Sequence, residues 1–206
     1  MPQDDAGSHD HYFSARPASA GDLRSIAVRI AGREVEVDVA AGVFSPGGID
    51  KGTRVLLAEV PVPPVGDLLD LGCGWGPLSL TMASQCPEAR VWAVDVNERA
   101  LDLVRRNAAR LGLDNVRAVT PDEVPDDVRF SAVWSNPPIR VGKAVLHEML
   151  GRWLPRLAPD AEAWLVVQKN LGADSLARWI SDELALPVGR EASSKGFRIL
   201  RVSAPA

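Results

Sequence analysis

Asp67-Leu68-Leu69-Asp70-Leu71-Gly72-Cys73-Gly74-Trp75-Gly76-Pro77 is the stretch on which the fold turns. Its first five residues are short and apolar, as a buried strand requires, and Leu78, Leu80, Met82 and Ala83 beyond it begin a helix-like pattern. The three glycines therefore fall in the turn between a strand and a helix, where a missing Cβ lets the backbone bend sharply and approach a ligand closely. Gly-rich strand–helix turns serve many nucleotide-like ligands, so the spacing has to narrow the choice. A dinucleotide fingerprint would place its third glycine where this chain has Pro77, which weighs against a nicotinamide-dependent oxidoreductase. The next apolar run, Val91-Trp92-Ala93-Val94, ends in Asp95. An acid there, about 20 residues past the glycines, can accept hydrogen bonds from ribose hydroxyls. The plainer alternative is that Asp95 caps the helix beginning near Glu98.

Outward from this turn, strands and helices alternate. Strands are expected at 67–71, 90–95, 116–119, 130–135 and 161–167, with two closing strands near 187–192 and 197–202. Helices are expected near 98–111, where Gly112 supplies the stop, and near 142–154 and 173–184. This alternation implies an α/β fold built on a doubly wound, mostly parallel sheet of seven strands. The last strand, after a tight turn near Ser194-Lys195-Gly196, is expected to run antiparallel. Ahead of the sheet, Ile26, Val28 and Ile30, then Val35, Val37 and Val39, alternate with polar residues around Ala31-Gly32, the pattern of a small β-hairpin. Asp50 to Val60 reads as a short helix stopped by Pro61. Three prolines within 61–64 mark a joint. We therefore expect an arm, hairpin and short helix at 1–60, packed on a main domain at 61–206.

Composition sets limits. A chain of 206 residues with 46% hydrophobic and 24% charged residues fits one ordinary soluble globular domain. No apolar run approaches the ~20 residues that span a bilayer, and Met1-Pro2-Gln3-Asp4-Asp5 lacks the positive start of a signal peptide. A cytoplasmic monomer with no membrane partner is the expectation. Cys73 and Cys86 are too few for a disulfide scaffold or a zinc site, and His9, His11 and His147 form no metal spacing, so no metal is expected. A net charge of −4 argues against a sequence-blind nucleic-acid coat protein. It leaves room for an enzyme that meets RNA through a local basic rim.

Asn136-Pro137-Pro138 follows the strand expected at 130–135 and so lies at its carboxyl end, beside the glycine turn. Two consecutive prolines fix φ and supply no N–H, leaving the Asn136 side chain and nearby carbonyls as acceptors aimed into the crevice. A base amine or an amide nitrogen needs such acceptors. Hydrogen bonds from both of its N–H groups help free the lone pair and orient it for attack on a methyl sulfonium. Arg140 and Lys143 follow directly, and Lys169 follows the next strand at the same end of the sheet, placed to hold phosphates. Tyr12 and Phe13, an aromatic pair in a polar arm, either close over the site as a stacking lid or pin the arm to the core.

With these motifs in view, the chain resembles the class I S-adenosylmethionine-dependent methyltransferases with their Rossmann-like sheet, and within them the methyltransferase small domain group. That group includes ribosomal RNA guanine-N2 methyltransferases. The resemblance runs from His11 to Val202. It rests on His11-Tyr12-Phe13-Ser14, Gly42-Val43-Phe44-Ser45, the turn from Asp70 to Pro77, Asp95-Val96-Asn97, Ser135-Asn136-Pro137-Pro138-Ile139-Arg140 with Gly142-Lys143, and Lys195-Gly196-Phe197-Arg198-Ile199-Leu200. It implies S-adenosyl-L-methionine as cofactor, bound by Asp70, Gly72, Gly74 and Gly76, with Asp95 on the ribose hydroxyls and Asp122 on the adenine amine. It implies Asn136 and Pro137 as the residues that hold the target amine. Pro138, Ile139, Arg140, Lys143, Tyr12 and Phe13 then face the substrate, ribosomal RNA or a ribosomal subunit. Ile139 departs from the pattern, since an aromatic residue often stands there to stack on the base. Two other readings share these residues: a protein glutamine N5-methyltransferase, and a cofactor-binding partner protein without catalysis.

Overall fold

The computed structural model describes residues 23–204. A hairpin of β1 (Leu23–Ile30) and β2 (Arg33–Ala40) leads through a loop to α1 (Lys51–Glu59). The chain then runs β3 (Asp67–Leu71), α2 (Pro77–Gln85), β4 (Arg90–Val94), α3 (Glu98–Leu111), β5 (Val116–Val119), β6 (Phe130–Ser135) and α4 (Lys143–Trp153). It closes with β7 (Leu157–Gln168), α5 (Ala173–Leu184), β8 (Val188–Ser194) and β9 (Phe197–Ser203). The seven later strands form one sheet in the order β5-β4-β3-β6-β7-β9-β8. β3 to β7 pair in parallel, and β9 lies antiparallel between β7 and β8, as the alternation pattern implies.

The strand order reverses at β3. The chain adds β4 and β5 on one side of it, then returns to add β6 and β7 on the other. This reversal opens a crevice beyond the carboxyl ends of β3 and β6, the position at which open α/β sheets bind ligands. Local sequence explains the junctions. Ala31 (φ 47°) and Gly32 (φ 81°) both take the left-handed conformation that a two-residue hairpin turn demands. Pro77 opens the first turn of α2, where no N–H has an intrahelical partner to lose. Asn97 caps α3 at its start, and Gly112 (φ 67°) ends it. β7 begins earlier than the pattern at 161–167 suggests. Leu157 already pairs with Phe130, and the register then shifts across a bulge that contains Asp160 at φ 62°. Pro159-Asp160 therefore reads as a turn although it lies within a strand.

Each face of the sheet carries its own core. Leu69, Phe130, Val133, Leu165 and Trp153 pack with α4 and α5 on one side. Leu68, Met82, Trp134 and Val166 pack with α1 and α2 on the other. The hairpin sets Val37 and Val39 against Trp75, Leu80 and Leu103 of the glycine turn, α2 and α3. The fully buried Asn107 of α3 joins these pieces. Its side chain accepts from the Asp38 N–H (2.7 Å) and donates to the carbonyls of Asp38 (3.0 Å) and Trp75 (3.1 Å). Hairpin, helix and glycine turn thus form a single hydrogen-bonded unit. Among the described residues no helix is long and apolar enough to cross a membrane.

Candidate active site

The glycine turn is strapped to its neighbour strand, because the N–H groups of Gly72 and Cys73 both donate to the Val94 carbonyl at 2.8 and 3.1 Å. Gly72 (φ 76°) and Gly74 (φ 55°) are left-handed. A Cβ on either would meet nothing closer than 3.9 Å, so bare backbone borders open space in the crevice. Gly76 serves a different purpose. A Cβ there would stand 3.1 Å from Val104 Cγ2, so its glycine permits close packing of α2 on α3. It stands between Trp75 and Pro77, which line the crevice.

Asp70 lies at the floor of the crevice, completely buried. Its Oδ2 accepts from the Ser79 N–H at 2.8 Å and from the Ser79 hydroxyl. Its Oδ1 is buried without a partner among the described residues. Burial pushes the Asp70 carboxyl up to about 7, against the two Ser79 hydrogen bonds, and the nearby Asp95 charge raises it further. Such an orphaned acceptor in a pocket suits a ligand that brings a positive charge or an N–H donor. Asp95 accepts from the Gly74 N–H (3.0 Å) and the Asn97 N–H (3.0 Å), linking the end of β4 to the turn. The helix cap is Asn97, so Asp95 is not the cap. Burial raises the Asp95 carboxyl, opposed by hydrogen bonds from the Asn97, Gly74 and Val96 backbone.

The buried Ser135 hydroxyl donates to the Leu71 carbonyl at 2.6 Å, tying the end of β6 to the end of β3. Asn136 therefore emerges beside the glycine turn and lines the same crevice. Its Nδ2 donates to Asp50 Oδ2 (2.7 Å) and to Thr53 Oγ1 (3.0 Å), both at the start of α1. A carboxylate only accepts, so the amide nitrogen must face α1 and the amide oxygen must face away. The Pro137 carbonyl already accepts from the Ile139 N–H at 2.8 Å, which leaves it one further lone pair. Ile139 is partly buried and packs against the core beneath α4. Pro138 comes closest to the site through its Cδ, opposite Gly72.

Other expected residues are dispersed. Asp122 points outward, with 90% of its side chain exposed, and pairs with Arg152 at 2.9 Å, so it is not gathered into the crevice. Lys143 and Lys169 are exposed at the ends of the elements that follow β6 and β7. Tyr12, Phe13 and the Arg140 side chain lie outside the described residues. Sequence reasoning missed Asp50, Thr53 and Phe44, all of which line the crevice. Asp50 was readable as the cap of a short helix, since its carboxylate accepts from the N–H groups of Gly52 and Thr53. Its reach to Asn136, 86 residues away in the chain, left no local signal. Phe44, 49% exposed at the rim, belongs to the Gly42–Ser45 loop that carries part of the family resemblance, but its sequence alone assigned it no place in the site.

A family model described as "Methyltransferase small domain" matches residues 34–201. YbxB of Bacillus subtilis, an uncharacterized protein, is 33% identical over 196 residues, covering 93% of this chain and 97% of its own length. Ribosomal RNA small subunit methyltransferase C of Pseudomonas aeruginosa is 34% identical over 187 residues, covering 86% of this chain. This chain spans only 55% of that relative's length. Among solved structures, the T. thermophilus 16S rRNA guanine N2 methyltransferase RsmC, in complex with AdoMet and guanosine, superposes with a TM-score of 0.78. That match covers 92% of this chain and 52% of the other at 22% identity, a likeness of fold.

Proposed function

We propose that this chain, which belongs to the methyltransferase small domain family, methylates the exocyclic N2 amine of guanine in ribosomal RNA. The methyl donor is S-adenosylmethionine. The observation that carries the reading is the convergence in one crevice of bare glycine backbone, an orphaned buried carboxyl oxygen and an outward-facing amide oxygen. Gly72 and Gly74 leave the backbone open to the cofactor, and Asp70 Oδ1 is the acceptor suited to its methionine ammonium group. Asp95 retains lone pairs for the ribose hydroxyls.

When bound, the cofactor supplies an electrophilic methyl group on a sulfonium. The residues of this chain then orient the acceptor. Asn136 Oδ1 takes one N–H of the target amine, and the free lone pair of the Pro137 carbonyl takes the other. With both hydrogens held, the nitrogen lone pair would be left free and oriented for the methyl group that the cofactor supplies. Asn136 and Pro137 would hold the nitrogen in place while it took the methyl group from the sulfonium, and the nitrogen would then release its proton to water. No strong base is required, and among the described residues none lines the crevice apart from the carboxylates already assigned. Orientation of this kind contributes several kcal/mol to the rate. The choice of guanine N2 over other amines is supported by the relatives whose names state ribosomal RNA methylation and by the neighbour solved with guanosine.

The test offers labelled S-adenosylmethionine with free ribosomal RNA, intact ribosomal subunits and release factors in parallel. Label recovered as N2-methylguanosine after nuclease digestion is the expected result. Label on a glutamine side chain, or on another base, would replace the acceptor. Preferential binding of NAD would remove the methyltransferase reading altogether.

A further inference from the structure

We infer that Asp50 and Thr53, at the first turn of α1, are positioning residues that set the polarity of the Asn136 amide. This inference rests on the role proposed above for Asn136. An asparagine side chain is nearly symmetric in shape and can turn over, presenting either an oxygen acceptor or a nitrogen donor to the crevice. Only the oxygen can hold an amine N–H. Asp50 Oδ2 is acceptor-only and lies 2.7 Å from Asn136 Nδ2. Thr53 Oγ1 gives its single hydrogen to the same Asp50 oxygen, at 2.6 Å. Towards Asn136, 3.0 Å away, it therefore has only lone pairs to offer. The amide nitrogen thus faces two acceptors at the start of α1, and the oxygen is left facing the ligand space.

The arrangement is packed as well as hydrogen-bonded. Gly52, between the two clamp residues, is buried. A Cβ there would approach Phe197 Cε1 to 3.0 Å and Asn136 Nδ2 to 3.4 Å, so the first turn of α1 lies directly on the amide. Asp50 is also anchored from behind, through the N–H groups of Gly52 (2.6 Å) and Thr53 (3.1 Å). The carboxylate that caps the helix is the group that orients the amide. The loop and helix ahead of the glycine turn thereby complete the site, and they restrict it to acceptors whose reacting atom carries a hydrogen to donate.

Thr53→Val keeps the shape and removes the oxygen, Thr53→Ser restores the oxygen, and Asp50→Asn keeps a capping side chain but introduces a donor against the amide. Each is compared with wild type and Asn136→Ala in single-turnover methyl transfer to ribosomal RNA, with cofactor affinity measured by calorimetry and folding by thermal melts. The expected result is a loss in rate of roughly tenfold to a hundredfold for Thr53→Val and Asp50→Asn, the scale of a misplaced reacting group. Cofactor affinity stays the same, and Thr53→Ser returns most of the rate. In the Asn136→Ala background, Thr53→Val should cause no further loss. Wild-type rates in Thr53→Val and Asp50→Asn, with Asn136→Ala slow, would overturn the positioning role and leave the proposed function standing. Equal slowing by Thr53→Ser and Thr53→Val, in step with a lowered melting temperature, would reduce the pair to helix capping. A wild-type rate in Asn136→Ala would instead fault the proposed function itself.

Discussion

At residue 70 a buried carboxyl group forms the floor of the crevice, and its titration ties the stability of the fold to pH. Burial lifts its pKa from 3.8 to about 7, so between those values the folded chain binds a proton that the unfolded chain has released. Stability contributed by the neutral form is therefore fully present below about pH 4 and lost as pH rises through 7, a change of roughly 4 kcal/mol at about 1.4 kcal/mol per unit. Urea unfolding of the cofactor-free protein at pH 5 and pH 8 should show Asp70→Asn flattening this fall, and an unchanged slope would mean that Asp70 does not titrate there. Asp95 gives a second test at the same scale. It holds the Gly74 N–H besides being the proposed ribose acceptor, so Asp95→Ala should weaken S-adenosylmethionine binding by roughly 1–3 kcal/mol. Calorimetry with unchanged affinity would remove the ribose assignment. Asp95 was legible in the sequence as an acid at the end of β4, whereas Asp70 entered only through the family resemblance. The orphaned oxygen of Asp70 was not legible, because burial of one atom depends on every neighbour around it.

Among the elements, the hairpin is joined to the glycine turn by one side chain. Asn107→Ala would leave the Asp38 N–H, the Asp38 carbonyl and the Trp75 carbonyl without their buried partner, at a cost of about 1–3 kcal/mol. Hydrogen exchange should show the amides of 33–40 losing protection more than those of β7, and a uniform loss across the sheet would contradict a local junction. Asn107 escaped notice because a polar residue on a helix reads as surface, and only the docked hairpin makes it core. Alternating β and α elements, by contrast, could be read almost in full, since buried strands and amphipathic helices carry their periodicity locally. The bulged start of β7 was hidden by Pro159-Asp160, residues that signal a turn wherever they fall. The clamp at α1 was hidden for another reason, as contacts between distant segments have no period in the sequence.

For the whole molecule, the proposed function requires a chain of net charge −4 to engage a polyanion. Lys143 and Lys169 are exposed at the same end of the sheet as the crevice, so attraction is expected to be local and salt-sensitive. Replacing both with Gln should weaken RNA binding and lower the salt slope by about one unit per residue. Filter binding across a salt series would measure it, and an unchanged slope would place the basic rim elsewhere. The central claim, that Asn136 holds the reacting amine, is tested most directly by single-turnover methyl transfer from S-adenosylmethionine to ribosomal RNA in wild type and Asn136→Ala, at equal cofactor occupancy. Single turnover excludes slow product release from the comparison. The account predicts a rate lowered on the order of 10²–10³, as when one preorganised partner of a transition state is lost, with cofactor affinity intact. Methyl transfer by Asn136→Ala at the wild-type rate would contradict it.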